Sequence, residues 1–214
     1  MEHQRTVETL VFYASLGHDP QWFPQYLDKE RQAGVIRIFN NSVVPGLLQT
    51  KEYAKAMISA GDVSDVAQEL QRRIDRQEIL HRPNPPFLSV LLTQAALEWP
   101  VGSPEVMREQ LARLLELSER PRIMIRVVPR TWQSGAHVGL DGNFVLLTGE
   151  GFGQIAFSES PERGRLVSSP LKIEPYFIRY DRIAAKALTE DESRDLIRRM
   201  LEECNAGSDG NQVA

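Results

Sequence analysis

Between Arg82 and Phe87 the chain reads RPNPPF, and neither a helix nor an interior strand can run through it. Each proline lacks an amide hydrogen, holds φ at about −65°, and drives the residue before it out of the helical region. The segments on either side must therefore form their local structure separately. This predicts a helical N-terminal subdomain over 1–82, a mixed α/β subdomain over 83–204, and a disordered tail over 205–214.

In the front part, Trp22, Phe23, Tyr26 and Leu27 recur at helical spacing behind an Asp19-Pro20 start, and the first forty residues read as helical. Lys51 to Ala60 predicts a helix closed by Gly61, and Ser64 to His81 another, with Val66, Leu70 and Ile74 on its apolar side. Its other side alternates Arg72, Arg73 and Arg76 with Glu69, Asp75 and Glu78, spaced for surface ion pairs. Between the first two helices stands VVPGLLQT. A turn is usually polar, yet Val43, Val44, Leu47 and Leu48 surround this one. Pro45 and Gly46 suit a type II turn with positive φ at the glycine, and the leucines predict a buried structural elbow facing the sheet.

The rear part has a different pattern. FLSVLLT (87–93) is a short unbroken apolar run, as expected of a buried strand. Ser103 and Pro104 open a helix whose stripe is Val106, Met107, Leu111, Leu114 and Leu115. RIMIRVVP (122–129) alternates Ile123, Ile125 and Val127 with Met124, Arg126 and Val128. Strand, helix and strand predict a right-handed crossover with parallel pairing. GNFVLLTG and GQIAFSES flank GEGFG as a hairpin, and two C-terminal helices follow, the second with a Thr189/Glu192 capping box. The fold class is thus α+β or α/β: a helical front packed on a small mixed sheet, β-α-β-β-β-like, with two terminal helices.

The 214 residues are 42% hydrophobic and 25% charged, the composition of a globular protein with a proper core. A net charge of −4 argues against a nonspecific grip on nucleic acid, though not against a local basic face. One cysteine, Cys204, forms no internal disulfide, and four scattered histidines give no metal spacing. No apolar run spans a bilayer and the start lacks a signal-peptide core, so a cytoplasmic protein without a metal or cofactor is expected.

The best candidate site is GAHVGLDGNF (135–144). Its glycines let backbone approach a ligand, and His137 and Asp141 stand four apart on a loop between strands. A tight turn in which both side chains serve loop backbone is the alternative. Gln94, Arg126, Gly135, Glu159 and Tyr180 join the ligand-binding candidates if their strands are neighbours. Arg72, Arg73 and Arg76 offer a partner or RNA face, but their interleaved acids favour a solvated helix surface.

The motifs VPGLLQTKEYAKA, RRIDRQEIL, ALEWPVGSPEVMREQLARLLELSERPRIMIRVVP, GAHVGLDGNFVLL and YDRIAAKALTEDESRDLI, in this order, resemble the DUF5753 family of Scr1-type, antitoxin-like actinobacterial regulators. Such regulators usually carry an N-terminal helix-turn-helix head, for which the residues before Trp22 are too few. Phe39 and Asn40 stand where the family tends to have a tryptophan and an acid, and Gln94 stands in place of a glutamate. The resemblance implies a stand-alone core that binds a small molecule or small partner protein without touching DNA itself. The alternative is a biosynthetic enzyme, an aminoacyl-tRNA-dependent transferase in which the arginine face holds tRNA and catalytic His137 and Asp141 deprotonate a small amine.

Overall fold

A computed structural model describes residues 23–61, 63–158 and 165–209. Trp22 and Glu159, both singled out above, lie outside them. Among the described residues, seven helices pack on one six-stranded mixed sheet, ordered β3-β2-β1-β4-β5-β6. The elements are α1 (Phe23–Gln32), β1 (Val35–Asn40), α2 (Lys51–Ser59), α3 (Val66–Gln77), β2 (Phe87–Thr93), α4 (Gln94–Glu98), α5 (Pro104–Ser118), β3 (Ile123–Val128), β4 (Phe144–Gly149), β5 (Gly153–Ser158), β6 (Arg165–Val167), α6 (Pro170–Ala184) and α7 (Glu190–Asp209).

The β2–α5–β3 crossover pairs its strands in parallel as expected, and β4 and β5 form the antiparallel hairpin. The front is not wholly helical. Val35–Asn40 is a strand in the middle of the sheet, parallel to β2 and antiparallel to β4. The physical reason is local: Gly34 interrupts the helix, and the β-branched Val35, Ile36 and Ile38 favour an extended backbone once both sheet faces are covered. The chain before the proline run and the chain after it therefore share one sheet. At the other end, α7 continues to Asp209, so residues 205–209 are helical where the sequence predicts tail.

Alternation along the strands builds two cores. Ile36, Ile38, Val90, Ile125, Leu147 and Phe157 face the layer that includes Leu47, Leu48, Leu111, Leu114 and Ile197. Phe39, Leu91, Phe144 and Leu146 face the opposite side, where Ile173, Tyr180 and Ile183 of α6 close over them.

The elbow is buried, with Val44, Leu47 and Leu48 at most 1% exposed. Burying each leucine stabilises the fold by roughly 2 kcal/mol. The expected type II turn is not formed. Gly46 has no positive φ, and Gly46–Leu48 makes a 3-10 turn in which Leu48 N–H donates to Pro45 O at 2.9 Å. Buried backbone needs partners, and three glutamines supply them. Gln49 Nε2 donates to Val44 O, Gln77 Nε2 to Gly46 O and Gln49 O, and Gln110 both donates to Leu48 O and accepts from Thr50 N–H. That pairing is what lets an apolar turn sit in the core.

Candidate functional site

Two places gather functional groups: the carboxyl end of β1 and β2, and the space between α1 and α3. Open sheets commonly bind ligands outside the carboxyl ends of their strands. At that end Asn41 is a hub. Its N–H donates to Asn143 Oδ1 at 2.8 Å, its carbonyl accepts from Thr93 Oγ1 at 2.8 Å, and its side chain reaches Gly139 O at 3.4 Å.

The loop over 135–144 is shaped by this packing. Gly135 and Gly142 take φ of 56° and 133°, conformations that favour glycine. Gly139 is required for a different reason: a Cβ there would stand 2.3 Å from the Phe39 ring and 2.9 Å from His137 Nδ1. His137 caps the turn Val138–Asp141, its Nδ1 accepting from Gly139 N–H at 3.2 Å. Burial, and then the charge of Lys186, depress its pKa. The neutral ring must then carry its proton on Nε2, which can donate to a ligand but not abstract a proton. Asp141 is exposed and pairs with Arg179 at 3.0 Å. Each of the two expected catalytic residues thus has a separate partner.

The other expected members do not converge on them. Gln94 latches the chain after β3, accepting from Arg130 N–H at 2.9 Å while donating to Glu98 at 2.7 Å. Arg126 donates to the carbonyls of Leu188, Ala184 and Ala187 and so caps the carboxyl end of α6. Tyr180 is buried, with its hydroxyl 2.9 Å from both the carbonyl and the hydroxyl of Ser89. Burial pushes its phenol up to about 12.

The arginines of α3 depart most from expectation. Arg72 is half-exposed and pairs with Glu69 at 3.6 Å, as a surface side chain should. Arg73 and Arg76 do not form the solvated face that the interleaved acids predict. Arg73 is 5% exposed, and its guanidinium donates to Gln49 Oε1 at 3.1 Å. Burial, then the neighbouring charge of Arg76, bring its pKa down to about 10, so it remains a cation at neutral pH. Arg76 forks onto Glu30, which is 1% exposed, through contacts of 2.5 and 2.6 Å, and its Nη2 donates to Tyr26 Oη at 3.2 Å. Burial works against its charge, but Glu30 and Tyr26 outweigh that and hold it above its ordinary range.

These side chains wall a groove of about 640 Å3 between α1 and α3, the size of a small-molecule site. Its described lining carries Arg31, Arg72, Arg73, Arg76 and Arg82. Against these stand Glu30, Glu69, Asp75 and Glu78, which leaves one positive charge in excess. Leu27 and Ile79 supply apolar wall. Arg73 and Arg76 also line a second, inner cavity of about 20 Å3, reached by Pro45, Gly46, Asn143 and Asn40. Asn40 is the last residue of β1, 1% exposed, and its Oδ1 has no hydrogen-bond partner among the described residues. Nothing in the sequence marks Asn40 or Glu30 for this place. Glu30 meets Arg76 only because α1 and α3 come together across 46 residues.

Among the described residues no group of His, Cys, Asp and Glu could hold a metal ion, and no helix is long and apolar enough to cross a membrane. No curated protein and no solved structure matches the chain. Residues 23–199 match the model of the family described as a domain of unknown function, DUF5753, and the chain belongs to that family.

Proposed function

We propose that this chain is a ligand-binding core whose ligand is a small anion held in the groove between α1 and α3. The observation that carries the reading is Arg73: a buried guanidinium that lines both a ligand-sized groove and a smaller cavity. A buried cation is costly to maintain, and arginine binds planar anions with two parallel hydrogen bonds. The groove also couples to the rest of the molecule. Arg73 touches Gln49 of the elbow, and Gln77 of the same helix holds the elbow's carbonyls. A ligand that pulls on Arg73 therefore bears on the segment joining β1 to α2, a route by which occupancy is felt elsewhere in a regulator-like protein.

Titration calorimetry with 3-phenylpropionate and with inorganic phosphate tests the reading. At least one should bind saturably. Arg73→Met should abolish that binding and the half-exposed Arg72→Ala should weaken it, with circular dichroism unchanged in both. Binding that survives Arg73→Met undiminished, or is weakened equally by Arg113→Met on the distant helix α5, overturns it. The transferase alternative takes its base from His137 or Asp141, and their separate partners, the Gly139 N–H and Arg179, favour the binding reading over it.

A further inference from the structure

A separate pocket of about 160 Å3 lies where β4 begins and β5 ends, beside α6 and at the carboxyl end of the central strand β1. A cavity of that volume holds a molecule about the size of benzene. Polar side chains converge on it from three places: Asp141 from the glycine-rich loop, Ser158 from the end of β5, and Tyr176 and Arg179 from α6. The Tyr176 and Ser158 hydroxyls have no hydrogen-bond partner among the described residues, and neither is sealed from water. Pro175 forms apolar wall between them, although a proline inside α6 removes a helical hydrogen bond.

Charge narrows the choice of ligand. One contact joins Arg179 to Asp141, Nη2 donating to Oδ2 at 3.0 Å. It leaves the other carboxylate oxygen and most of the guanidinium donors unused. With the two charges this close, a lone cation drawn to Asp141 is repelled by Arg179, and a lone anion meets the reverse. A zwitterion with both charges on one carbon satisfies both, laid antiparallel beside the pair. We infer that this pocket binds a small aliphatic α-amino acid, its ammonium on Asp141, its carboxylate on Arg179 and its side chain against Pro175 and Tyr176. The volume admits a side chain of about valine's size. This site is independent of the groove between α1 and α3.

Valine, 3-methylbutanoate and 2-methylpropylamine share one branched skeleton and carry both charges, the carboxylate alone or the ammonium alone. In a 1H–15N NMR titration of the full chain, valine should shift the Gly142 and Ser158 amides saturably. Its Kd should lie about tenfold below that of either analogue, the worth of one hydrogen bond to a charged group. Asp141 and Arg179 form a surface pair, so Asp141→Asn and Arg179→Gln should both fold. Asp141→Asn should erase valine's advantage over 3-methylbutanoate, and Arg179→Gln its advantage over the amine. Arg73→Met, which disables the groove, should leave valine binding unchanged, so the two sites stand or fall separately. Equal binding of all three compounds, no saturation by valine, or valine binding that survives both pocket variants overturns the inference. So does valine binding lost in Arg73→Met and kept in Asp141→Asn, which places it in the groove.

Discussion

Removing either partner of the Glu30–Arg76 pair should cost far more than removing both. Glu30's side chain is 2% exposed and Arg76's 22%, so the two losses are unequal. Arg76→Met leaves a carboxylate sealed from water with only the Tyr26 hydroxyl, 2.7 Å away, to donate to it. Breaking a buried pair in this way costs about 3–5 kcal/mol. Glu30→Leu leaves a guanidinium that water still reaches at one edge, and that loss should be nearer 2 kcal/mol, on the order of the penalty for an unpaired buried polar group. The double variant replaces both charges by apolar side chains and should lie within about 1 kcal/mol of the parent. The coupling energy is then roughly 4–7 kcal/mol. For a chain of this length the Arg76→Met loss amounts to a fall in Tm of about 10 °C. Urea unfolding of the four proteins measures it. Single variants that each cost under about 1 kcal/mol, or a double variant equal to their sum, would refute the argument that this pair is buried and mutually dependent.

Gly139→Ala should destabilise by about 2–3 kcal/mol. Its Cβ meets a Phe39 ring that is fully buried and packed against Phe144, so the ring cannot retreat; a thermal melt unchanged within a degree contradicts this. Gln110→Leu, which strands Leu48 O and Thr50 N–H in the core, should cost about 2–4 kcal/mol by urea unfolding, and a loss under 0.5 kcal/mol would contradict the elbow's dependence on glutamine. His137 titrates lower folded than unfolded, so the unfolded chain binds its proton first on acidification. Its contribution is therefore intact above the ordinary histidine value near 6.5 and drains away as pH falls below it. Stability measured from pH 7 to 5 should fall less steeply in His137→Ala than in the parent, and a steeper fall in the variant reverses the sign of the argument.

Elements whose signals are local were readable before any coordinates. The β2–α5–β3 crossover follows from an apolar run, a Ser103-Pro104 start and an alternating run. The Thr189/Glu192 box forms as expected, Glu192 Oε2 accepting from the Thr189 N–H at 2.9 Å. β1 was hidden because the aromatic spacing of α1 carried the helical reading past Gly34, though Val35, Ile36 and Ile38 are the residues of a strand. The elbow's burial was readable in its leucines. Its turn type was not, since Gln77 and Gln110 reach it from 31 and 62 residues away. The same distance problem hid the groove: acids three and four residues from each arginine suggest a surface ladder, whereas Arg76 chooses Glu30 across 46 residues. The glycine-rich loop carries the local signal of a site, because its glycines are visible in the sequence. The buried cations lie on a helix whose spacing disguises them.

The most direct measurement is a crystal structure of the protein soaked with 3-(4-bromophenyl)propionate, located by the anomalous signal of its bromine. The account predicts the carboxylate on Arg73 and the bromophenyl ring against Leu27 and Ile79, between α1 and α3. Bromine found instead over the His137–Asp141 loop, with the α1–α3 groove filled only by solvent, contradicts it.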